Sequence, residues 1–230
     1  MYSLTFDTTG ACCSIVLMNN EYIVDRFEQK MDFGQSEMLI SQIKTILEKN
    51  NILFSDIKAV FVCTGPGSFT GVRASISAAR VFGVAIPDLK IGGISAFEAY
   101  KKSFCEEDIT ETNAVIIETR RDDFYVQLFD KNMQSICDPT VMTYSDLLNT
   151  LKTKGRQVSL VGDGVERFLN QPSGLSLRSI KMFDSAPIEY IAKAGIEALK
   201  DMRLNFPKPL YLRAPDVSTP SPNNKINNAL

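Results

Sequence analysis

The sequence predicts an α/β fold of two lobes, each a mixed sheet with the element order βββαβαβα. Residues 1–103 contain three short strand patterns followed by alternating helix and strand patterns, and residues 104–213 repeat that order. A chain of 230 residues, 44% of them hydrophobic, is long enough to bury a core in both lobes. No flexible linker separates the halves, so we expect them to pack as one unit, followed by a mobile tail at residues 214–230.

The first lobe opens with three apolar or alternating runs separated by turn residues, which is typical of an antiparallel meander. The next segment has a helical period, and we predict Ser36 as its N-cap. A continuous apolar strand, a glycine-rich loop and a second helix follow. These seven segments are predicted at residues 3–6, 11–17, 22–27, 36–49, 57–63, 64–71 and 72–84.

The second lobe repeats the meander, with a hairpin turn at residues 130–132. A turn at residues 162–164 leads into a short helix, and Pro187 lies in the first turn of the last helix. The other predicted strands and helices lie at residues 114–117, 124–129, about 135–143, 144–152, 158–161, 177–180 and 186–200.

Composition excludes several kinds of chemistry. The chain has no His, which removes Ser-His-Asp and Cys-His catalysis and metal sites built on imidazole pairs. Its five Cys form no CxxC pair, and 25 Lys and Arg against 27 Asp and Glu argue against a broad surface for nucleic acid. No signal peptide or membrane span is apparent, so we expect a cytoplasmic protein. Because the chain has no His and no CxxC pair, we expect no metal site.

Two loops are candidate phosphate sites. The turn Asp7-Thr8-Thr9-Gly10 places an acid and two hydroxyls beside a glycine, as in the phosphate-binding turn of actin, Hsp70 and sugar kinases, although an ordinary hairpin turn has the same residues. The matching segment of the second lobe, residues 118–123, has no glycine, which makes an independent kinase or ATPase doubtful. Residues 65–71 join a strand to a helix N-terminus, where Gly65, Gly67 and Ser68 either face an anion or form a rigid turn.

The helix at residues 72–84 is apolar around most of its circumference. Its polar stripe contains only Arg73, Ser77 and Arg80, and small residues elsewhere would let another helix approach closely. Met38 lies alone on the polar side of the preceding helix. This pattern predicts burial on more than one side, either inside the chain or against a partner.

Several motifs occur in an order that resembles the TsaB (YeaZ) branch of the TsaD/glycoprotease-like family. The most specific is Gly-Pro-Gly-Ser-Phe-Thr-Gly-Val-Arg at residues 65–73, and the others are Phe6-Asp7-Thr8-Thr9, Gln35-Ser36-Glu37, Gly162-Asp163-Gly164 and Pro209-Leu210-Tyr211-Leu212-Arg213. The resemblance implies an actin-like (ASKHA) fold with lobes at residues 1–103 and 104–213. It also implies a cytoplasmic, non-catalytic dimerisation subunit of the machinery that forms N6-threonylcarbamoyladenosine (t6A).

The family implies partners as well. TsaD would transfer threonylcarbamoyl to N6 of adenosine 37 in tRNAs that read codons beginning with A, with the ATPase TsaE alongside and tRNA held through the complex. A homodimer is the competing assembly. The family places its partner contacts on the two helices of the first lobe. The expected interface residues here are Met38, Leu39, Ile43, Ile46, Val72, Ala74, Ala78 and Val81.

The resemblance also bears on ligands. TsaD proteins bind a metal through His-x-x-x-His, and the corresponding stretch around Gln35 and Leu39 has neither ligand. Gln35 also replaces a His that is common in TsaB proteins. We therefore expect no cofactor bound by the chain alone, with ATP or ADP at an interface shared with TsaD and TsaE. The alternative function is an actin-like small-molecule kinase or ATPase that uses the turn at residues 7–10.

Overall fold

A computed structural model describes residues 1–31, 33–154 and 157–213. Strands and α-helices follow one another in the order βββαβαβα, twice. The strands are β1 Tyr2–Asp7, β2 Cys12–Asn19, β3 Tyr22–Lys30, β4 Ile57–Cys63, β5 Lys90–Ile94, β6 Thr112–Glu118, β7 Asp123–Phe129, β8 Thr140–Thr143, β9 Val158–Gly162 and β10 Leu177–Met182. The helices are α1 Gln35–Lys49, α2 Phe69–Ala85, α3 Ala96–Lys102, α4 Tyr144–Lys154, α5 Val165–Leu169 and α6 Ile188–Lys200.

The two five-stranded sheets have the same topology. Their strand orders are β3-β2-β1-β4-β5 and β8-β7-β6-β9-β10. In each sheet the three meander strands pair antiparallel, and the two later strands join in parallel. The parallel strands are connected through helices, because a parallel connection must cross over the sheet. The predicted mixed α/β fold with two equivalent halves is confirmed.

The helices form three layers around the sheets. Helices α1 and α2 cover the outer face of the first sheet, and α4 and α5 cover the outer face of the second. Helices α3 and α6 pack against each other between the sheets, where Phe97 and Ile191 share a core with Phe61 and Val161. This central core fixes the position of one lobe relative to the other.

Most predicted boundaries differ from the structure by one to three residues. Helix α2 begins at Phe69, inside the predicted loop. Pro187 is the N-cap of α6 and does not lie in its first turn.

Two further differences have a clear local cause. Helix α1 begins at Gln35 after Gly34, whose φ of +89° is accessible to glycine, so Ser36 is not the N-cap. The strand expected at about 135–143 is only β8, with a single bridge between Phe129 and Ser135 before it. Pro139 directly precedes β8 and has no N–H to donate to a strand ladder.

Residues 203–213 form an extended segment, here called the C-terminal strap, that returns to the first lobe. The Gly93 amide donates to the Asn205 carbonyl at 2.9 Å, and the Leu210 amide donates to the Thr64 carbonyl at 2.8 Å. The strap therefore lies beside the ends of β4 and β5. The proposed boundary between residues 103 and 104 stays a prediction, and the predicted tail at residues 214–230 lies outside the described residues.

Candidate functional site

The interlobe cleft lies between the ends of β1 and β6 and has a volume of about 610 Å³. It is lined on one side by Thr9, Gly10 and Ser68 of the first lobe, and on the other by Glu118 and Asp163 of the second. Tyr100 of α3 lines its floor and is only 1% exposed. A concave site between lobes is a usual place for ligand binding.

The first-lobe turn, residues 7–10, is held tightly against α2. The Thr8 hydroxyl donates to the Gly71 carbonyl at 2.7 Å and lies 2.8 Å from the Ser75 hydroxyl. The Thr8 amide also donates to the Ser75 hydroxyl, at 3.1 Å. Thr8 therefore uses its hydrogen-bonding groups inside the protein, with 1% of its surface exposed.

The start of α2 is closed off by the same turn. The Ser68 amide donates to the Thr9 carbonyl at 2.8 Å, and the Ser68 hydroxyl accepts from the Gly71 amide at 3.3 Å. A Cβ atom on Gly71 would lie 1.8 Å from the Thr8 carbonyl oxygen, and one on Gly67 would lie 2.5 Å from that of Thr9. The loop glycines thus allow close backbone packing, and two of the amides that an anion would need already have partners.

The predicted phosphate-facing residues are divided between the cleft and the core. Thr9, Gly10, Gly67 and Ser68 line the cleft. Asp7, Thr8 and Gly65 do not line it, and all three are buried. Binding of phosphate at this place stays a prediction.

Asp7 is a buried carboxyl with one satisfied oxygen. Its Oδ1 atom accepts the Thr9 amide at 2.7 Å, whereas its Oδ2 atom has no hydrogen-bond partner among the described residues. Burial raises the pKa of Asp7 to about 6, against the lowering effect of the Thr9 hydrogen bond. Asp7 therefore titrates close to neutral pH.

The second-lobe turn, residues 118–123, is organised by ion pairs. The Arg167 guanidinium donates to both carboxylate oxygens of Glu118, at 2.6 and 2.9 Å, and to the Asp123 carbonyl at 2.6 Å. It also lies 3.8 Å from the ring centre of Phe124. Arg213 at the end of the strap pairs with the Asp123 carboxylate. Charged side chains therefore take the place of a glycine-rich phosphate turn.

Asp163 lies beside this turn and reaches the cleft. Its Oδ1 atom accepts the Glu118 amide at 2.9 Å. Burial raises the pKa of Asp163 to about 7; the Glu118 amide opposes this rise, and the negative charges of Glu118 and Asp7 add to it. The two lobes thus bring Asp7 and Asp163 close enough to influence each other.

Sequence reasoning did not identify Tyr100 as a cleft residue. Its ring packs 5.7 Å from that of Phe183, and its hydroxyl has no partner among the described residues. Burial raises the pKa of Tyr100 well above its usual value, and Asp163 and Asp7 are the charges that contribute most to the rise. A Tyr on the buried face of a short amphipathic helix such as α3 carries no signal that could have revealed this position.

The predicted interface residues fall into two groups. Leu39, Ile43, Ile46 and Val72 are at most 4% exposed and belong to the core between α1, α2 and the first sheet, so their side chains present no surface to a partner. The other four lie at the surface or half-buried. They are Met38, Ala74, Ala78 and Val81.

The outer face of α2 is partly covered by the strap. The Arg73 guanidinium donates to the Tyr211 hydroxyl at 3.1 Å, and that of Arg80 donates to the Pro207 carbonyl at 2.7 Å. The rings of Phe69 and Tyr211 stack at 5.2 Å. The polar stripe predicted on α2 is therefore the contact with the strap, and the apolar stripe beside it stays exposed, with Val81 at 63% and Val84 at 90%.

Residues 1–31, 33–154 and 157–213 contain no group of three or more Cys, Asp or Glu side chains placed to hold a metal ion. Gln35, at the position where a family His is expected, donates its side-chain amide to the Met31 carbonyl at 2.8 Å, and Leu39 is in the core. In the same part of the chain, no helix is long and apolar enough to cross a bilayer.

Comparisons with known proteins agree on one family. Residues 34–199 match the family described as TsaD: tRNA N6-adenosine threonylcarbamoyltransferase. The tRNA threonylcarbamoyladenosine biosynthesis protein TsaB of Buchnera aphidicola (Baizongia pistaciae) is 24% identical over 173 residues, which are 72% of this chain and 76% of that protein. TsaB of Bacillus subtilis is 26% identical over 166 residues, covering 70% and 71%.

Solved structures agree on the fold. YeaZ from Pseudomonas aeruginosa superposes with a TM-score of 0.73 at 17% identity, over 92% of this chain and 99% of YeaZ. The activator of 2-hydroxyisocaproyl-CoA dehydratase from Clostridium difficile, solved with bound ADPNP, gives a TM-score of 0.51 at 14% identity, over 88% and 97%. The actin-like fold is thus shared with a nucleotide-binding protein and with YeaZ. The chain belongs to the TsaD family and, within it, to the TsaB (YeaZ) branch.

Proposed function

We propose that the chain is a non-catalytic subunit in t6A biosynthesis and supports TsaD as it transfers threonylcarbamoyl to N6 of adenosine 37 in tRNAs reading codons that begin with A. The observation that carries this proposal is the family match over residues 34–199 in a chain without any His. A metal site of the His-x-x-x-His kind cannot form where Gln35 and Leu39 stand. The role requires TsaE and tRNA in the same complex and therefore places the chain in the cytoplasm.

The cleft supports a subunit rather than an independent kinase or ATPase. Thr8 is bonded into α2, the Ser68 amide is bonded to Thr9, and the Glu118 carboxylate is held by Arg167. Phosphoryl transfer needs free hydrogen-bond donors around the phosphates, and the Thr8 hydroxyl and the Ser68 amide already have partners inside the protein. We propose that the chain alone binds no nucleotide and that ATP or ADP binds only at an interface completed by TsaD and TsaE.

The partner surface in this proposal is the exposed apolar stripe of α2. Ala74, Ala78 and Val81 follow one another at helical spacing, and Val84 extends the stripe. Their small side chains allow a helix of TsaD to pack at close range, with Met38 of α1 at the edge. A second copy of the chain would use the same stripe, so homodimer and heterodimer exclude each other.

Reconstitution tests the subunit role. Purified chain should show no transferase activity by itself, and it should restore t6A formation to TsaD of the same organism when TsaE, the threonylcarbamoyl-adenylate donor and tRNA are present. Full activity of that TsaD in the absence of the chain would contradict the proposal. Tight binding and turnover of Mg-ATP by the isolated chain would instead favour the kinase or ATPase.

Val81→Asp tests the surface. A charge on this exposed residue should weaken co-purification with TsaD by about tenfold or more, because it must lose its water in the contact, while the circular dichroism spectrum stays unchanged. Val24→Asp is the matched control, since Val24 is 39% exposed on β3, away from α2. Equal binding by both variants would place the interface elsewhere. A charge at Ile43 would not be informative, because Ile43 is in the core.

A further inference from the structure

The face formed by helix α2 and the C-terminal strap carries basic side chains and no acidic ones. Residues 69–85 and 203–213, here called the basic face, contain no Asp or Glu. Their cations are Arg73, Arg80, Arg203, Lys208 and Arg213. The whole chain has 25 Lys and Arg against 27 Asp and Glu, so positive charge is concentrated on one face of a nearly neutral protein.

Three of these five cations lack a carboxylate partner. Arg203 and Arg213 form ion pairs with Asp side chains. Across residues 1–31, 33–154 and 157–213, no ion pair includes Arg73, Arg80 or Lys208. All three residues are exposed. Uncompensated charge at a surface attracts the opposite charge on a partner and selects against partners of the same sign.

The two arginines of α2 are held in place by uncharged groups. The Arg73 guanidinium lies 3.7 Å from the ring centre of Phe69 and donates to the Tyr211 hydroxyl at 3.1 Å. The Arg80 guanidinium lies 5.1 Å from the ring centre of Phe206 and donates to a strap carbonyl at 2.7 Å. A guanidinium has five N–H donors, so both side chains keep donors for a partner. Because their positions are already restricted, they lose less entropy on binding.

The basic face is continuous with the apolar stripe of α2. At about 100° per residue, Val84 lies about 20° around the helix from Arg73 and about 40° from Arg80. Val84 is 90% exposed, and the rings of Phe206 and Tyr211 are 53% and 43% exposed. Aromatic and Arg side chains beside apolar ones are the usual composition of the strongest-binding part of a protein interface. The surface therefore combines the apolar and the charged parts of a protein-binding site.

The same rings favour a protein partner over a single-stranded nucleic acid. Bases bind to such surfaces by stacking on open aromatic faces. Here the Phe69 ring stacks on that of Tyr211, with centres 5.2 Å apart, and the Arg73 guanidinium lies over Phe69 as well. Phe69 is therefore already in contact with other groups, and the alanine and valine side chains of the stripe have no donor for a phosphate.

We propose that the basic face and the apolar stripe together bind a protein partner that presents carboxylates next to small apolar side chains, and that this charge pattern favours the heterodimer over the homodimer. The inference rests on the proposed function, because it specifies the chemistry of the same partner surface. A two-fold homodimer brings the surface against its own copy. The copy has no acid on its basic face, and α1, which packs beside α2, has two Glu and two Lys. The cations of one copy would therefore meet no net negative charge on the other.

Salt dependence tests this charge pattern. Sedimentation equilibrium is measured for the chain mixed with TsaD of the same organism and for the chain alone, in about 0.1 M and about 1 M NaCl, where the Debye length is about 10 Å and about 3 Å. We expect the Kd of the heterodimer to rise by about tenfold or more at the higher salt concentration. Self-association of the chain alone should be no stronger at low salt than at high salt. A heterodimer of equal Kd in both solutions, or a homodimer that is tighter at low salt, would overturn the inference.

Charge variants locate the effect on the surface. Lys208→Glu reverses an exposed charge, and Arg80→Gln removes a charge but keeps an N–H donor for the strap carbonyl. At low salt we expect each variant to weaken TsaD binding by about fivefold or more, and high salt should reduce the difference from the wild type. Lys131→Glu, which reverses an exposed charge in a turn of the second lobe, is the matched control. The inference fails if both variants bind TsaD as this control does.

The outcomes also separate this inference from the proposed function. If Val81→Asp abolishes TsaD binding while salt and the charge variants have no effect, the α2 interface stands and the acidic partner chemistry is wrong. If Val81→Asp and the charge variants all bind TsaD normally, the interface lies elsewhere and both proposals for this surface fail. Binding of a tRNA transcript by the isolated chain, weakened by Lys208→Glu, would assign the basic face to nucleic acid and overturn the inference.

Discussion

The turns after β1 and β6 occupy equivalent places in two sheets of the same topology, but they are held by different interactions. The first is compact and neutral at its surface, with Thr8 hydrogen-bonded into α2 and Gly71 packed against its backbone. The second is highly charged: Arg167 donates hydrogen bonds to the Glu118 carboxylate, and Arg213 of the strap forms an ion pair with Asp123. The first turn is fixed by neutral hydrogen bonds and close backbone packing, and the second by ion pairs.

This difference shows that the sheet topology does not require the same turn chemistry in both lobes. A clamp needs free amides and hydroxyls on one side and a glycine-rich turn on the other. In the first lobe Thr8 and Ser68 are engaged by neighbours, and in the second lobe side chains fill the space. The strand order depends on neither turn, so both could change while the sheets stayed the same.

The largest effect is expected from Gly71→Ala, which tests whether packing fixes the first turn. The new Cβ would lie 1.8 Å from the Thr8 carbonyl oxygen, so the turn and α2 must separate. We expect the free energy of unfolding, measured with urea, to fall by at least about 3 kcal/mol.

Gly83→Ala is the matched control in the same helix. Its Cβ would meet only side-chain atoms of Ile91, the nearest being Cδ1 at 3.0 Å, and alanine favours helix formation. The control should stay within about 1 kcal/mol of the wild type. Similar losses in both variants would show that helix α2, rather than its contact with the turn, is the sensitive element.

The second-largest expected effect is a dependence of folding stability on pH, to which one buried carboxyl of each lobe contributes. Asp7 and Asp163 titrate at about 6 and about 7 in the folded chain, above the ordinary value of 3.8 that applies after unfolding. The folded state therefore binds these protons more tightly, and stability should fall as the pH rises from about 4 to about 7, by up to about 1.4 kcal/mol per unit for each group. Asp163→Asn should abolish the decline between about pH 6 and 7, measured by urea unfolding across this range.

Asp108→Asn is the control for this prediction, because the pKa of Asp108 is lowered whereas those of Asp7 and Asp163 are raised. Burial raises the pKa of Asp108, but hydrogen bonds from Lys181, the Cys105 amide and Ser179 together lower it to about 2. Its stabilising effect is present above the ordinary pKa and is lost as the pH falls towards about 2. This variant should leave the decline between pH 6 and 7 intact. If it removed that decline as well, the cleft carboxyls would not be its source.

The fold could be predicted because its signals are local. The apolar strand at β4 and the helical period of α1 depend on neighbours in sequence, and each lobe repeats them in the same order. The candidate site depends on contacts between distant segments. Nothing local indicates that Thr8 bonds to Ser75, or that Tyr100 reaches the cleft.

The interface residues show the same limit. Leu39 and Ile43 fit a partner-facing helix and a core helix equally well, because periodicity identifies an apolar face without identifying what covers it. The structure assigns both to the core. The stripe at Val81 stays exposed because the strap packs along the arginine side of α2. The path of an extended segment such as the strap has no periodic signal in the sequence.

The smallest effect is expected from Arg167→Met, which tests whether ion pairs fix the second turn. Methionine keeps an apolar side chain over Phe124 but removes both hydrogen bonds to Glu118. Because these side chains are 34% and 25% exposed, we expect a loss of about 1 to 2 kcal/mol, between the values for surface and buried pairs. Lys44→Met, which breaks the exposed pair with Glu48, should cost less than about 0.5 kcal/mol.

Adding Glu118→Gln to Arg167→Met makes the test specific for charge. Removing the unpaired carboxylate should recover part of the loss, because Glu118 then no longer lies unneutralised beside Asp163. The losses of the two single variants should therefore not add in the double variant, as expected for residues in one network. Simple additivity would mean that Arg167 supports the turn through its contacts with Phe124 and the Asp123 carbonyl. In that case the Arg167–Glu118 ion pair would contribute little, and both turns would depend mainly on packing and on hydrogen bonds to backbone carbonyls.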